Sequence, residues 1–320
     1  MTNASQNPVT ASGNTDLALL GFMLNIDEPA VLALGGGIGF MAATFQYQQV
    51  TTLTFVFRAH PVPFVEAVLE GSGLGVSLMT TTSAAKAHRE LSAALEAGDR
   101  LLAYVSIPGE NWGEAVLQEI TSESKFELAK ATKKKQYWLA RIARTDRREP
   151  VVVSMDAHRD AVRLSAQCML NELQPEGVPE SFAKNFGVSG IRKLSSALTD
   201  SSARGWAKLF EDPARRATGF GMALKFLNGT AHGGRGGLRH TFATVVERAG
   251  FAPDTYRSLG KLWEEFAGLM SEAQMSAAQE IEGEAASSYS KFLETAAALL
   301  AEIADREESA AKDVLNNVSA

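Results

Sequence analysis

Few side chains in this chain can do nucleophilic or acid–base chemistry. It has five histidines and one cysteine, Cys168. Cys168 lies in the helical pattern AVRLSAQCML, where a buried and inert thiol is expected. Asp156 and His158 alternate where a strand is predicted to end, and a proton-transfer pair can lie there, although turn capping explains them equally well. Taken alone, these residues identify no activity.

The spacing of these side chains favours neither a metal nor a cofactor. The sequence has no His-Glu-x-x-His motif and no pair of histidines with a carboxylate at metal-ligand spacing. The glycine run at 35–39 has Phe40 where a dinucleotide fingerprint needs glycine, and it follows a predicted helix instead of a strand. We therefore expect no metal and no cofactor, and we predict a tight turn at this run.

A second glycine cluster, at 233–237, precedes a predicted helix at 238–249. Backbone N–H groups of such a loop can hold an anion, with Arg235 adding positive charge. A flexible connection between two helices explains the cluster as well. The sequence leaves both explanations open.

A basic stretch spans 130–148. A solvated face is the ordinary explanation, and we expect no nucleic-acid partner because the charge is confined to one strand pair of a nearly neutral domain. Docking of an acidic protein, such as an acyl carrier protein, is the functional alternative. The residues of this docking prediction are Lys133, Lys134, Lys135 and Arg141.

Composition bounds the class of protein. The chain has 320 residues, 45% hydrophobic and 21% charged, with a net charge of −6. These values are typical of a soluble globular protein and exclude a disordered or fibrous one. One cysteine excludes intramolecular disulfides, and the N-terminus has no secretory pattern, so we expect a cytoplasmic protein without membrane contact. The sequence leaves open whether the chain forms a homo-oligomer.

Hydrophobic periodicity divides the chain into two halves. The first half mixes helices at 14–34 and 83–97 with strands at 51–57, 75–79, 101–107, 137–143 and 151–155, the last two forming a predicted hairpin. From 157 onward the pattern is helical, ending in a long segment from about 271 to 314. Because strands and helices do not alternate regularly, we predict an α+β fold with an antiparallel sheet and then an all-α region. The predicted domains are 1–160 and 161–320.

The order of several motifs is similar to that in one known family. The block at 12–17, the turn Glu28-Pro29-Ala30 and the run Leu34–Phe40 resemble the N-terminal domain of the butirosin biosynthesis protein H family. The second half resembles the C-terminal partner domain of that family, of unknown function, through Gly236–Phe242. The resemblance covers most of residues 10–270.

This resemblance implies a papain-like, C39-peptidase-like domain. The founding activity of the family is transfer of an aminoacyl group from an acyl carrier protein thioester to an amine through an acyl-cysteine. That chemistry needs a thiolate at a helix N-terminus, a histidine on a strand and a third group that orients the histidine. It implies an acyl carrier protein or a peptide-bound acyl substrate as the partner.

The chain departs from the family at the decisive positions. Ala11-Ser12 stands where the family has His-Cys, and Lys135–Tyr137 stands near the position of the strand histidine. Asp156 is retained as a candidate orienting acid. Because serine is a much weaker nucleophile than cysteine without a base, the ordinary acyl-cysteine mechanism is not available.

Three hypotheses follow. In the first, which the sequence favours, the chain is a natural-product enzyme that forms or rearranges an amide, ester or ring without an acyl-cysteine. In the second, it is a catalytically inactive relative that binds a carrier protein, a peptide or an enzyme. In the third, the cleft that corresponds to the substrate cleft of the family holds a small ligand or a metal. The predicted catalytic residues are Ser12, Asp16, Asp156 and His158, and the predicted substrate-binding residues are Asn14, Gly35, Gly36 and Gly37.

The first hypothesis makes a direct prediction. If Ser12 attacks the acyl group, intact-mass spectrometry will detect an acyl adduct on the wild-type protein after incubation with an acyl-loaded carrier protein. Ser12→Ala will abolish adduct and turnover while leaving the melting curve unchanged. Unchanged turnover in that variant would exclude Ser12 from the chemistry.

Overall fold

The chain folds into two compact units. A computed structural model describes residues 16–46, 51–59, 63–106, 116–120, 127–131, 136–143, 151–173, 178–228, 236–282 and 289–318. The first unit contains the described residues up to Asp27 together with Leu69–Val152, and the second contains Glu28–Val68 and the described residues from Val153 onward. The predicted α+β class is confirmed. The division differs from a single boundary at 160, because residues 28–68 belong with the helices of the second half.

The elements are as follows in chain order. The described helices are α1 (Asp16–Leu24), α2 (Glu28–Leu34), α3 (Phe64–Gly71), α4 (Ala84–Glu96), α5 (Met155–Met169), α6 (Glu180–Ala183), α7 (Gly187–Thr199), α8 (Trp206–Leu209), α9 (Pro213–Leu227), α10 (Arg239–Arg248), α11 (Asp254–Ile281) and α12 (Tyr289–Val318). The described strands are β1 (Ile38–Gln46), β2 (Thr51–Arg58), β3 (Val76–Thr81), β4 (Arg100–Ser106), β5 (Val116–Ile120), β6 (Glu127–Leu128), β7 (Lys130–Ala131) and β8 (Gln136–Ile142). No single helix among the described residues is both long and apolar enough to cross a membrane, and α1 with α2 meets that test only as a bent pair.

An antiparallel sheet forms the centre of the first unit. Its strand order is β3-β8-β4-β5, with β6 beside β4 and β7 beside β8. Helix α4 packs one face against this sheet. The hydroxyl of Ser83 caps the start of α4 by accepting from the backbone N–H of Lys86, and Gly98 follows its end with φ +70°. The helix predicted at 83–97 is thus confirmed. The buried residues of this core are Ala87, Leu91, Ala94, Leu101, Ala103, Val105, Ile120 and Leu139.

A hairpin of β1 and β2 lies among the helices of the second unit. The two strands pair antiparallel, with Ala42 opposite Phe55. Alternate residues of β2 are buried, which is the pattern of a strand with one face on a core. Strand β1 was not predicted, because its sequence IGFMAATFQ contains glycine and adjacent alanines and lacks clear alternation.

Two expectations about the elements are corrected. Residues 151–154 form no strand, and α5 begins at Met155 with Ser154 as its cap, so the predicted hairpin of 137–143 with 151–155 is wrong. Strand β8 pairs instead with β3, β4 and β7. The long helical segment predicted from about 271 to 314 is also corrected, because α11 continues to Ile281 and α12 spans Tyr289–Val318.

Two charged side chains are buried inside the second unit. Arg239, at the start of α10, and Glu307, on α12, are 0% and 1% exposed, and Nε of the arginine lies 2.7 Å from Oε1 of the glutamate. The indole N–H of Trp263 donates to the same oxygen, and the guanidinium also donates to the carbonyls of Gly237 and Gly39. A buried ion pair needs such additional partners to offset its desolvation. The pair therefore joins α10, α11 and α12 to β1 and to the turn at Gly237.

A second buried arginine links three of the helices. Arg216 on α9 forms an ion pair with Glu280 on α11 and donates to the carbonyl of Phe210 at 3.1 Å. Its guanidinium lies 4.4 Å from the ring centroid of Tyr289, at the start of α12. Burial raises the pKa of the Tyr289 phenol, and the nearby Arg216 charge opposes that shift.

Removal of the buried carboxylate charge tests this arrangement. Glu307→Gln leaves the Arg239 charge buried without a counter-ion, so we expect the free energy of unfolding to fall by about 3 kcal/mol. Glu308→Gln is the matched control, because Glu308 makes partly exposed pairs with Arg192 and Lys312, and it should cost less than about 1 kcal/mol. Urea denaturation gives both values. Equal effects of the two substitutions would contradict the account.

Candidate functional site

The predicted residues near the N-terminus fall mostly outside the described part of the chain. Ser12 and Asn14 lie before residue 16, and Asp16 is the first residue of α1 with only its backbone described. The roles predicted for Ser12, Asn14 and Asp16 therefore stay predictions.

Asp156 and His158 do not meet in one site. Both lie in the first turns of α5 and not at a strand end. The Asp156 side chain is 85% exposed and its Oδ1 lies 4.0 Å from Arg159 Nη1. His158 is 3% exposed, and its Nδ1 lies 2.7 Å from the Ser154 carbonyl oxygen, while Nε2 has no hydrogen-bond partner among the described residues. Residues two apart on a helix point about 200° away from each other, so the pair cannot share a proton here.

The glycine run forms the predicted tight turn between α2 and β1. Gly36 and Gly37 have φ of +90° and +84°. A Cβ atom on Gly35 would lie 2.1 Å from the Phe64 ring, and one on Gly37 would lie 2.1 Å from the Ser165 hydroxyl. Side chains of the same unit thus fill the space beside these glycines. Close packing accounts for the run without a substrate.

The predicted docking residues are only partly described. Lys133, Lys134 and Lys135 lie between described strands, outside the described residues. Arg141 lies on β8, where it forms an ion pair with the Asp99 carboxylate. A paired guanidinium adds little net charge to the surface, so a docking prediction depends on the three lysines.

The single cysteine is buried, as the sequence predicts. Cys168 lies on α5 in the second unit and is 5% exposed. Catalytic thiolates occur in accessible, electropositive surroundings, which this position does not offer. Cys168 therefore cannot replace the cysteine that is absent at position 12.

The described chain does contain one histidine–carboxylate pair beside a cleft. Nε2 of His240, on α10, lies 3.4 Å from Oε2 of Glu264 on α11, close enough for an ion pair but without hydrogen-bond geometry. A Cβ atom on Gly260 would lie 2.6 Å from Cε1 of the ring, and one on Gly236 would lie 2.8 Å from Cδ2. The ring is therefore held between two glycine backbones. Such packing fixes the orientation of the imidazole relative to Glu264.

We name the adjoining space the Glu264 cleft. Its volume is about 200 Å³, and it lies between the end of α9, the turn before α10 and one face of α11. The turn is left-handed, with φ of +63° at Gly236, +59° at Gly237 and +66° at Leu238. A non-glycine residue with positive φ stores strain, and strain of this kind concentrates at functional sites. The residues that line the cleft are Leu227, Asn228, Gly236, Glu264, Ala267, Gly268 and Ser271.

The sequence predicts only part of this cleft. The glycine cluster before α10 is visible as a motif, and His240 is one of the five histidines of the chain. No motif marks Glu264 or Gly260, although their spacing of four residues places them on one face of α11. The sequence carries no signal that brings this face to α10. Among the described residues, no group of three or more histidine, cysteine, aspartate or glutamate side chains is arranged to hold a metal ion.

Comparison with known proteins names no family for the chain. No protein-family model matches it, and no curated protein matches it either. The family resemblance of the motifs therefore stays a prediction.

The packing of the glycine run can be tested by adding a methyl group. Gly37→Ala forces a positive φ on alanine and drives Cβ into Ser165, so we expect the free energy of unfolding to fall by about 3 kcal/mol. Gly73→Ala is the matched control, because Gly73 has φ +68° but no heavy atom within 4 Å of its Cβ position. It should cost about 1 kcal/mol. A smaller loss for Gly37→Ala than for Gly73→Ala, measured by urea denaturation, would show that the run is not packed as described.

Proposed function

We propose that this chain is a natural-product biosynthesis protein related to the carrier-protein-dependent acyltransferases of the butirosin H type. It works without an acyl-cysteine, and it acts by binding an acyl carrier protein. Its first domain would then have the papain-like fold of that family. The resemblance of the motifs supplies the family, and the positions of the described side chains favour binding over chemistry.

One observation favours a binding function over a catalytic one. The only cysteine is buried on α5, and on the same helix His158 faces the interior while Asp156 faces solvent. A nucleophile, a base and an orienting acid must lie within hydrogen-bond reach of each other to perform acyl transfer. These three residues cannot form that arrangement.

The charge near β8 supports an acidic partner. Arg141 is neutralised by Asp99, so the docking prediction depends on Lys133, Lys134 and Lys135, which lie outside the described residues. Opposite charge on a carrier protein would speed its encounter with such a group. The lysines immediately precede β8 in the sheet of the first unit.

An enzyme that uses Ser12 is the second candidate. Helix α1 begins at Asp16, so Ser12 precedes a helix start by only a few residues. Free backbone N–H groups at a helix N-terminus can stabilise an oxyanion. This candidate predicts an acyl adduct on Ser12, whereas the binding proposal predicts none.

Reversal of the lysine charges tests the binding proposal. The triple variant Lys133→Glu, Lys134→Glu and Lys135→Glu should weaken binding of an acyl-loaded carrier protein at least about tenfold at low salt, because it replaces attraction with repulsion. Calorimetry measures the affinity, and intact-mass spectrometry of the same sample measures any transferred acyl group.

The control changes the net charge equally at exposed lysines elsewhere. A triple Lys→Glu variant at Lys86, Lys208 and Lys261 should change the affinity less than about twofold. Equal weakening by both triple variants would mean that net charge alone explains the loss of affinity, and it would contradict a docking site at Lys133, Lys134 and Lys135. An acyl adduct on Ser12 would contradict the binding proposal and support the candidate in which Ser12 acts as the nucleophile of an enzyme.

A further inference from the structure

We propose that the outer edge of strand β3 pairs with β3 of a second copy of this chain, so that the two sheets join antiparallel across a two-fold axis. Strand β3 and the sheet to which it belongs lie within the first unit. The inference does not depend on carrier-protein binding, because it uses only β3, the helix α4 above it and the strands beside it.

Strand β3 forms one edge of the described sheet. Among the described strands it pairs only with β8, from Val76 opposite Ile142 to Thr81 opposite Tyr137, and the register between these pairs contains no bulge. In a strand with a neighbour on one side only, alternate backbone N–H and C=O groups point away from the sheet. Six residues is the usual length of a paired strand. This edge is therefore a regular template for a further strand.

Side chains of β3 are exposed on both faces of the sheet. On the inner strand β8, Leu139 and Ala140 point to opposite faces, and they are 2% and 0% exposed. Leu78 lies opposite Ala140 in the ladder but is 50% exposed. Its neighbour Ser77, which points to the other face, is exposed as well. The covering of the two faces thus extends over β8 and ends at β3.

The sequence of this edge lacks the features that usually prevent edge strands from pairing. Such strands are normally protected by charged side chains, proline, bulges or a covering element. Residues 71–85 contain no charged residue and no proline, although 21% of the chain is charged. Strand β5, at the other end of the strand order, carries Glu119, which forms an ion pair with Arg100 at 3.2 Å. The edge at β3 has no comparable protection.

The absence of charge favours a second copy of the chain as the partner. When a strand pairs antiparallel with itself, one residue lies opposite its own copy, and the residues around it lie opposite each other. A charged side chain at the centre of such a strand would face a like charge, which is destabilising. The strand sequence VSLMTT avoids this, and it offers no charge with which to recognise an acidic or basic peptide. With Leu78 near the axis, two exposed leucine side chains would cover each other.

Helix α4 would extend the contact. A two-fold axis perpendicular to the sheet leaves both copies of α4 on the same face of the joined sheet. Met79 of β3 packs, only partly buried, against the core between α4 and the sheet, and a neighbouring copy would cover it further. Pairing of six residues buries less than the roughly 1,200 Å² at the lower end of stable interfaces. We therefore expect a weak and reversible dimer.

Sedimentation velocity of the full chain over a range of concentrations tests the proposal. We expect a reversible, concentration-dependent shift from the mass of one chain to twice that mass. Because the paired strands carry no charge, the dissociation constant should change less than about twofold when the salt concentration is raised about tenfold. Association through oppositely charged surfaces would instead weaken strongly with salt.

A charged substitution assigns the association to β3. Leu78→Lys places like charges together near the axis, so it should raise the dissociation constant at least about tenfold. The matched control is Met275→Lys on α11, where another exposed apolar side chain, 57% exposed, receives the same charge. It should change the dissociation constant less than about twofold. Both variants should keep the melting temperature of the dilute, monomeric protein, because both side chains are exposed.

Disulfide cross-linking gives a second measurement that does not depend on a loss of association. The one natural cysteine, Cys168, is buried, so an engineered surface thiol is the accessible one. Single cysteines at Ser77, Leu78, Met79 and Thr80 would be oxidised at a concentration that favours the dimer. The residue nearest the axis should form a covalent dimer faster than Met275→Cys does, because its copy lies directly opposite.

Several outcomes would overturn the proposal. These are a chain that stays monomeric at every concentration, equal weakening by Leu78→Lys and Met275→Lys, and cross-linking on β3 that is no faster than at position 275. A monomer would leave this edge to a strand from a different protein. No carrier protein is present in these experiments, so their failure is separate from failure of the carrier-binding proposal.

Discussion

The burial of Arg239 and Glu307 is the interaction on which the second unit depends. A lone charge inside a protein is very unfavourable, so each of these residues requires the other and requires further hydrogen bonds. The guanidinium meets this need through Glu307 and the carbonyls of Gly237 and Gly39. Removal of any of these partners leaves a buried donor or a buried charge unsatisfied. The pair therefore constrains where α10 begins and how α12 lies against it.

This constraint also positions the Glu264 cleft. His240 follows Arg239 in the chain, so the fixed guanidinium sets the first turn of α10 and with it the imidazole ring. Trp263, which donates to Glu307, precedes Glu264 on α11. Arg239 and Trp263 contact the buried Glu307 carboxylate, whereas Glu264 lines the cleft and His240 lies 3.4 Å from the Glu264 carboxylate. The packing of the interior and the geometry of the cleft therefore cannot vary independently.

The sequence predicts the local elements better than the contacts between them. Helix α4 is predictable because Ser83 and Gly98 mark its ends and its apolar residues have helical spacing. Strand β1 is missed because its sequence lacks clear alternation, and its pairing with β2 is not visible in the sequence. Asp156 lies in a helix and not at a strand end, because Ser154 caps α5 where the sequence predicts a strand. The Arg239–Glu307 pair is invisible in the sequence, because its members are 68 residues apart and charged residues are normally expected at the surface.

A double-mutant cycle tests the central claim most directly. The free energy of unfolding would be measured by urea denaturation for wild type, Arg239→Met, Glu307→Leu and the double variant. If the pair organises the unit, each single variant is strongly destabilised, and the double variant is more stable than the sum of the single effects by at least about 2 kcal/mol. Additivity within about 0.5 kcal/mol would contradict the account, because it would mean that the two charges do not depend on each other.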